Sequence, residues 1–192
     1  MIIKKQKNID LNIISNDCSA LYMYRFILKT QYKNPFVGTY MDNKQFMCLL
    51  KNFNSINFNK VDFTFSKEPF FLNNLPYFKC NIDNIVDINY VHYNDIDSLY
   101  KLSKNYFKRL QRMTDNINII IISDIGNSVI NTSEVVKYVV ETYKHPTKII
   151  IMSYDDYSIY NSKDILFLER NDFAVTTLIN AREKLLRFIY DN

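Results

Sequence analysis

Glycine is nearly absent from this 192-residue chain, which has two glycines, four prolines and no tryptophan. Glycine-rich phosphate loops need several closely spaced glycines, so the P-loop of nucleotide hydrolases and the dinucleotide-binding fingerprint are both excluded. Turns that require a left-handed backbone must use other residue types, and asparagine tolerates that conformation well.

Paired cysteines, long apolar runs and strong net charge are also missing. Cys18, Cys48 and Cys80 match no zinc-ligand spacing and no disulfide framework, so we expect free thiols in a reducing compartment and no metal site. The apolar runs reach about six residues against the roughly 20 of a membrane span, and the N-terminus has no signal-peptide core. We therefore expect a cytoplasmic protein without a membrane span. The net charge of +4 permits phosphate-bearing partners but does not predict nucleic-acid binding.

The hydrophobic pattern predicts an α/β fold in a single domain over residues 1–192. Largely apolar runs at 117–122 and 148–153 are typical of parallel strands buried on both faces, and helical spacing between them predicts a Rossmann-like βαβ unit. Alternation over residues 58–91 predicts an irregular, partly antiparallel middle segment. A strand at Ile165–Leu168 and one helix from about Asp172 to Ile189 complete the predicted, largely parallel layered sheet.

Three residues with complementary chemistry lie at or just after the ends of predicted strands, namely Cys18, His92 and Asp124. If these strands lie side by side, their carboxyl ends meet at the edge where α/β sheets bind ligands. A thiol, an imidazole and a carboxylate are the nucleophile, base and orienting group of covalent catalysis. We predict these roles for the three residues, with Asp95 as an alternative partner of His92. A small buried cysteine is the non-catalytic interpretation of Cys18.

Cys18 falls in the first turn of a predicted helix. The positive end of a helix dipole lowers a thiol pKa, so we expect a reactive Cys18 thiolate. Backbone N–H groups of the same turn are expected to form an oxyanion hole.

Lys101, Lys104, Lys108 and Arg112 are spaced to share one face of a predicted helix. This basic face is either solvated surface or a cradle for a phosphate-bearing ligand such as a nucleotide-sugar or coenzyme A. Asp155, after the strand ending at Ser153, is expected at the same sheet edge as Asp124.

Several short segments together resemble a known family: 14–18, 24–25, 34–38 with Tyr40, 92–93, 108–113 and 119–124. The combination is similar to the domain-of-unknown-function family 1919, whose members are often labelled exopolysaccharide biosynthesis proteins, and more distantly to papain-like cysteine peptidases. This resemblance implies a role in polysaccharide assembly. It also implies that the site includes the following positions: Asn16, Cys18, His92, Arg109, Arg112 and Asp124.

Three functions fit these observations. The preferred one is an acyltransferase acting on a sugar, a nucleotide-sugar or a glycan intermediate, with acyl-coenzyme A as a compatible co-substrate. Its substrate-binding residues are expected to be Asn16, Asp95, Lys108, Arg109, Arg112 and Asp155. The alternatives are a papain-like cysteine hydrolase and a non-catalytic carbohydrate-binding module, in which the pKa of Cys18 would be ordinary and high. The sequence leaves the acyl donor and acceptor open and is compatible with a homo-oligomer.

Overall fold

The protein is an α/β fold with two separate sheets. The computed structural model describes residues 11–124, 130–170 and 173–190. In chain order its elements are β1 (Ile13–Ser15), α1 (Ser19–Tyr22), a π-helix (Met23–Leu28), α2 (Asn43–Asn52), β2 (Val61–Ser66), β3 (Tyr77–Ile82), β4 (Val86–Tyr90), a 3-10 turn (Ile96–Ser98), α3 (Leu99–Leu110), β5 (Ile119–Ser123), α4 (Thr132–Thr142), β6 (Lys148–Ser153), a 3-10 turn (Ser158–Tyr160), β7 (Ile165–Glu169), α5 (Ala174–Asn180) and α6 (Arg182–Tyr190).

The larger sheet is parallel, with strand order β1-β5-β6-β7. Its central strands are buried on both faces because successive side chains point to opposite sides. Ile120 and Ile122 pack into a core shared with α2, α3, α4 and the second sheet. Ile119 and Ile121 pack into another core, shared with α1, the π-helix, α5 and α6. The predicted parallel sheet and the βαβ unit β5–α4–β6 are confirmed.

The smaller sheet is antiparallel, with order β2-β3-β4. It confirms the predicted antiparallel middle segment but corrects the position of the strand before His92. That strand, β4, does not belong to the parallel sheet, since its alternating buried and exposed residues suit a sheet with only one covered face.

The C-terminal segment differs from the single predicted helix. Two helices, α5 and α6, are separated at Ala181, where the backbone has φ −89° and ψ 9°. The apolar periodicity continues through this break, because Leu178 and Leu185 both pack into the core, so the sequence pattern conceals it. Asp172, the expected first residue, lies outside the described residues. None of the described helices combines the length and the apolar character that crossing a membrane requires.

Candidate functional site at the junction of the two sheets

Cys18 and His92 come together although their strands belong to different sheets. Cys18 follows β1 and caps the start of α1, and His92 follows β4. The distance between Cys18 Sγ and His92 Nε2 is 3.1 Å. This distance is short enough for direct proton transfer between thiol and imidazole.

A bridging segment, residues 38–41, holds this pair together. Tyr40 and Asn89 exchange backbone hydrogen bonds of 2.8 and 3.0 Å, which attach the segment to β4. The amide of Met41 donates to the carbonyl oxygen of Asn16 at 2.8 Å, which attaches the segment to the end of β1. The ends of β1 and β4 are thereby held next to each other.

Gly38 gives His92 the space that its ring needs. Its φ is +76°, and a Cβ placed there would lie 3.2 Å from His92 Cδ2 and 4.0 Å from Nε2. Glycine is favoured for both reasons, since other residues are strained in the left-handed region and would crowd the imidazole.

The electrostatics of the pair correct the expectation of a reactive thiolate. Burial, together with the nearby charge of Asp17, raises the pKa of the Cys18 thiol to about 12. Partial burial lowers the pKa of His92, although part of its ring reaches solvent. Both groups are therefore neutral near pH 7. Burial and the carboxylate of Asp17 outweigh any lowering by the helix N-terminus.

The expected backbone oxyanion hole is also occupied. The amide of Ser19 donates to the Asp17 carboxylate at 2.8 Å, and the amide of Ala20 donates to Ser15 Oγ at 3.0 Å. These two N–H groups cannot also stabilise an oxyanion without breaking those bonds.

The pair opens into an apolar cleft of about 330 Å³. Aromatic and aliphatic side chains form most of its wall: Tyr22, Tyr40, Phe70, Leu72, Val91, Phe173 and Val175. Asp17, Asn73 and Arg170 add polar groups to the wall. Arg170 donates to the carbonyl oxygen of Asp124 and lies over the ring of Tyr154. A cleft of this kind suits an apolar or partly apolar group carrying a polarised carbonyl.

Asp124 does not orient His92. Its carboxylate accepts hydrogen bonds from Thr132 Oγ1 and Ser153 Oγ, each at 3.2 Å. Within the described ranges, the side chain of His92 hydrogen-bonds only to Cys18. The physical reason is topological: Asp124 ends β5 and faces α4 and β6, whereas His92 follows a strand of the other sheet.

Asn16 connects the end of β1 to the end of β5. It is fully buried, its amide nitrogen donates to the Ser123 carbonyl at 2.7 Å, and its oxygen accepts from the Ser123 amide at 2.8 Å. A side chain without exposed surface offers no contact to a substrate in this conformation, and substrate binding by Asn16 stays a prediction.

Among the described residues, the two remaining acidic candidates, Asp95 and Asp155, form no hydrogen bond with Cys18 or His92. Asp95 lines a second cavity, of about 420 Å³, beside His92, but its carboxylate accepts a hydrogen bond from the amide of Asp97 at 3.0 Å. Asp155 is exposed after β6, and its amide donates to Ser153 Oγ. Substrate binding by either carboxylate stays a prediction.

The predicted basic residues of α3 and its C-terminal end line a third cavity. Lys108, Arg109 and Arg112 face the π-helix across a space of about 540 Å³. Arg109 also donates to the Val37 carbonyl at 3.1 Å and lies 4.9 Å from the centre of the Tyr32 ring. Lys104 does not line this space, so the basic face divides into cavity residues and solvated ones.

Comparison with known proteins identifies the family. The family model described as Domain of unknown function (DUF1919) matches residues 1–187. The chain belongs to this family. No curated protein and no solved structure matches it. The family description names no activity, so the expected links of this DUF1919 protein to exopolysaccharide biosynthesis and to papain-like peptidases stay predictions.

Sequence reasoning missed three residues that shape the site of this DUF1919 protein. The sequence offered a signal for Gly38. Because the chain has only two glycines, each is expected at a position where a larger residue would not fit or would be strained. Tyr40 and Arg170 carried no signal of this kind, because both reach the cleft only through tertiary packing. Gly126, the other glycine, lies outside the described residues.

Proposed function

We propose that this protein is a cysteine-dependent acyltransferase in which Cys18 is the nucleophile and His92 the base. The observation that carries the proposal is the 3.1 Å distance between Cys18 Sγ and His92 Nε2 at the mouth of an apolar cleft. The raised pKa of Cys18 and the lowered pKa of His92 indicate a neutral pair at rest. Proton transfer must then accompany nucleophilic attack.

The proposed reaction has two steps. Cys18 Sγ attacks the acyl carbonyl carbon while its proton moves to His92 Nε2, and the leaving group takes that proton as it departs. The product of this step is a thioester on Cys18. An acceptor hydroxyl or amine then attacks the thioester, His92 takes the acceptor's proton, and that proton returns to the sulfur as the thiol leaves.

The wall of the cleft supports the acyl part of the proposal. Its aromatic side chains provide apolar surface for an acyl chain, and Arg170 is the cation of the wall. Because the Ser19 and Ala20 amides are occupied, we assign stabilisation of the developing oxyanion to Arg170. The acceptor class, a sugar hydroxyl or amino group, rests on the resemblance to exopolysaccharide biosynthesis proteins.

Trapping of an acyl-enzyme tests the proposal. Incubation with p-nitrophenyl acetate should acetylate Cys18, which intact-protein and peptide mass spectrometry detect. Cys18→Ala should abolish the adduct, and His92→Gln should slow its formation by a factor of about 100 or more. Cys48→Ala is the matched control because Cys48 is also a half-buried free thiol. Acetylation that persists in Cys18→Ala, or that is unaffected in His92→Gln, would refute the mechanism.

Hydrolysis is the second candidate, favoured by the exposure of His92. An imidazole that reaches solvent can activate water as well as an acceptor. Release of the acetyl group should be accelerated by glucosamine if the protein is a transferase. A release rate that glucosamine leaves unchanged would instead assign a hydrolase with the same two residues.

A further inference from the structure

The cavity between the π-helix and α3 is strongly cationic. It has a volume of about 540 Å³, and ten residues line it. Half of them are cations, and none is acidic: Arg25, Lys29, Lys108, Arg109 and Arg112. A volume of this size is within the usual range for small-molecule sites.

The described residues place no carboxylate partner beside the cations of this cavity. Throughout the described part of the chain, none of the five cations forms an ion pair with a carboxylate. Lys108, in the last turn of α3, and Arg112, just past its end, both line the cavity, so their like charges repel. Arg25 and Lys29 both line the opposite wall. Arg25, Lys29 and Lys108 are exposed and Arg109 and Arg112 are half-buried, so water screens part of this repulsion, and an anion between the two walls would relieve the rest.

Lys29 adds an independent observation. It ends the π-helix with a left-handed backbone, φ 52° and ψ 43°. The other non-glycine residues with positive φ in the described ranges are Asn74, Asp83 and Asn84, which are types that tolerate this conformation. A helix end of this kind normally uses glycine or asparagine. A lysine placed there against its conformational preference, with its side chain lining the cavity, indicates that its charge is used.

We propose that this cavity binds a diphosphate group of a small-molecule ligand. Two adjacent phosphates present enough oxygens for several cations on both walls, and arginine guanidinium groups match phosphate geometry. A single phosphate would leave most of the five cations unpaired. Sequence analysis pointed to Lys108, Arg109 and Arg112, and the structure adds Arg25 and Lys29 from the opposite wall.

The position of the cavity connects it to the Cys18–His92 pair without depending on it. Arg109 and Tyr32 line both this cavity and the one beside His92. His92 in turn lines both that second cavity and the cleft of Cys18. The cationic cavity therefore adjoins the cavity beside His92, which in turn adjoins the cleft of Cys18. Diphosphate binding itself would stand even if Cys18 were unreactive.

Calorimetric titration of the full chain with inorganic pyrophosphate tests this site. Pyrophosphate should bind at least about tenfold more tightly than inorganic phosphate or sulfate, and added salt should weaken it. Arg112→Gln and Lys108→Gln should each weaken binding by about tenfold. Lys104→Gln removes the same charge from the same helix outside the cavity and should bind as the wild type does.

The variant Lys29→Asn distinguishes a loss of pyrophosphate binding from a loss of folding stability. Asparagine suits the left-handed backbone, so thermal unfolding should occur at the same or a higher temperature, while pyrophosphate binding weakens. Cys18→Ala should retain pyrophosphate binding, which keeps this inference separate from the proposed acyl transfer. Equal affinity for phosphate and pyrophosphate, unchanged binding in the cavity variants, or an equal loss in Lys104→Gln would overturn the assignment.

Discussion

The protonation state of Cys18 is the property of a single residue on which the chemistry of the site depends. With a pKa of about 12, roughly one thiol in 10⁵ is ionised at pH 7 if no base assists. A neutral His92 at 3.1 Å provides another route, because it accepts the proton only during the reaction. The two routes respond differently to pH.

We predict that the alkylation rate of Cys18 by iodoacetamide follows the titration of His92. The rate should rise with pH and level off near or below pH 6.5, the ordinary pKa of histidine, because burial lowers the pKa of His92. In His92→Gln the rate should instead increase tenfold per pH unit through pH 10. A wild-type profile without the plateau would favour a binding module with an inert thiol. Mass spectrometry of the Cys18 peptide measures the rate.

Gly38→Ala should change the geometry of the Cys18–His92 pair, although Gly38 is not a member of the pair. The added methyl group would meet the His92 ring at 3.2 Å on a left-handed backbone, where a non-glycine residue costs about 1–2 kcal/mol. We expect the free energy of unfolding to fall by about that amount and alkylation of Cys18 at pH 7 to slow. Asn84→Ala, at φ 57° in an exposed turn, is the matched control and should destabilise the fold without changing alkylation.

Residue types predicted the pair but not its electrostatics. Only two histidines are present, and only His92 directly follows a predicted strand, so the sequence was enough to select it as the candidate base. The pKa of Cys18 follows from burial and from Asp17, and burial depends on how distant segments pack. Asp124 illustrates the same limit, since a strand-end position does not determine which neighbours a carboxylate contacts.

At the scale of elements, β1 is short and depends on side-chain bonds for its attachment. It has three residues, and Asn16 extends its contact with β5 by two buried hydrogen bonds to Ser123. Asn16→Ala should lower the free energy of unfolding by about 2–4 kcal/mol, because it leaves a buried N–H and a buried C=O without partners. Denaturant unfolding measures the change.

Asn54→Ala is the corresponding control, since Asn54 is exposed in a loop; it should change the free energy of unfolding by less than about 0.5 kcal/mol. An equally small change in Asn16→Ala would mean that β1 is held by its apolar side chains alone.

Strands were predictable where their apolar runs are continuous. The boundaries of β6, Lys148–Ser153, agree with the sequence prediction, because a strand buried on both faces has an unmistakable composition. The sheet to which β4 belongs was not predictable. Alternation of apolar and polar residues indicates that one face of a strand is buried, but it does not indicate which strand pairs with it. Long-range pairing, such as that between Tyr40 and Asn89, has no local signature.

At the scale of the whole molecule, the candidate site lies where the two sheets meet. The parallel sheet supplies Cys18, the antiparallel sheet supplies His92, and the bridging segment bonds to both. The geometry of the pair therefore depends on how the sheets are held relative to each other. Substitutions that loosen this junction should reduce Cys18 reactivity without touching either residue.

Buried acidic hydroxyl and thiol groups also determine how the whole protein responds to alkali. The pKa of Cys18, ordinarily 9.0, and those of Tyr40 and Tyr143, ordinarily 10.0, are each raised to about 12, chiefly by burial. These groups are neutral when protonated. The folded state therefore holds protons that the unfolded chain releases from about pH 9 upward. Their contribution to stability is complete below pH 9 and disappears as pH rises toward 12.

We therefore predict that the free energy of unfolding falls steadily between about pH 9 and pH 12. His92 acts in the opposite direction: because its pKa is lowered, its contribution is lost as pH falls below 6.5. Tyr143→Phe should be less stable at pH 7, having lost the bond from its hydroxyl to the Leu50 carbonyl, yet its stability should decline less steeply in alkali. Equal alkaline slopes in wild type and Tyr143→Phe, measured by denaturant unfolding at each pH, would contradict this account, because the slope reports the protons that the folded state retains.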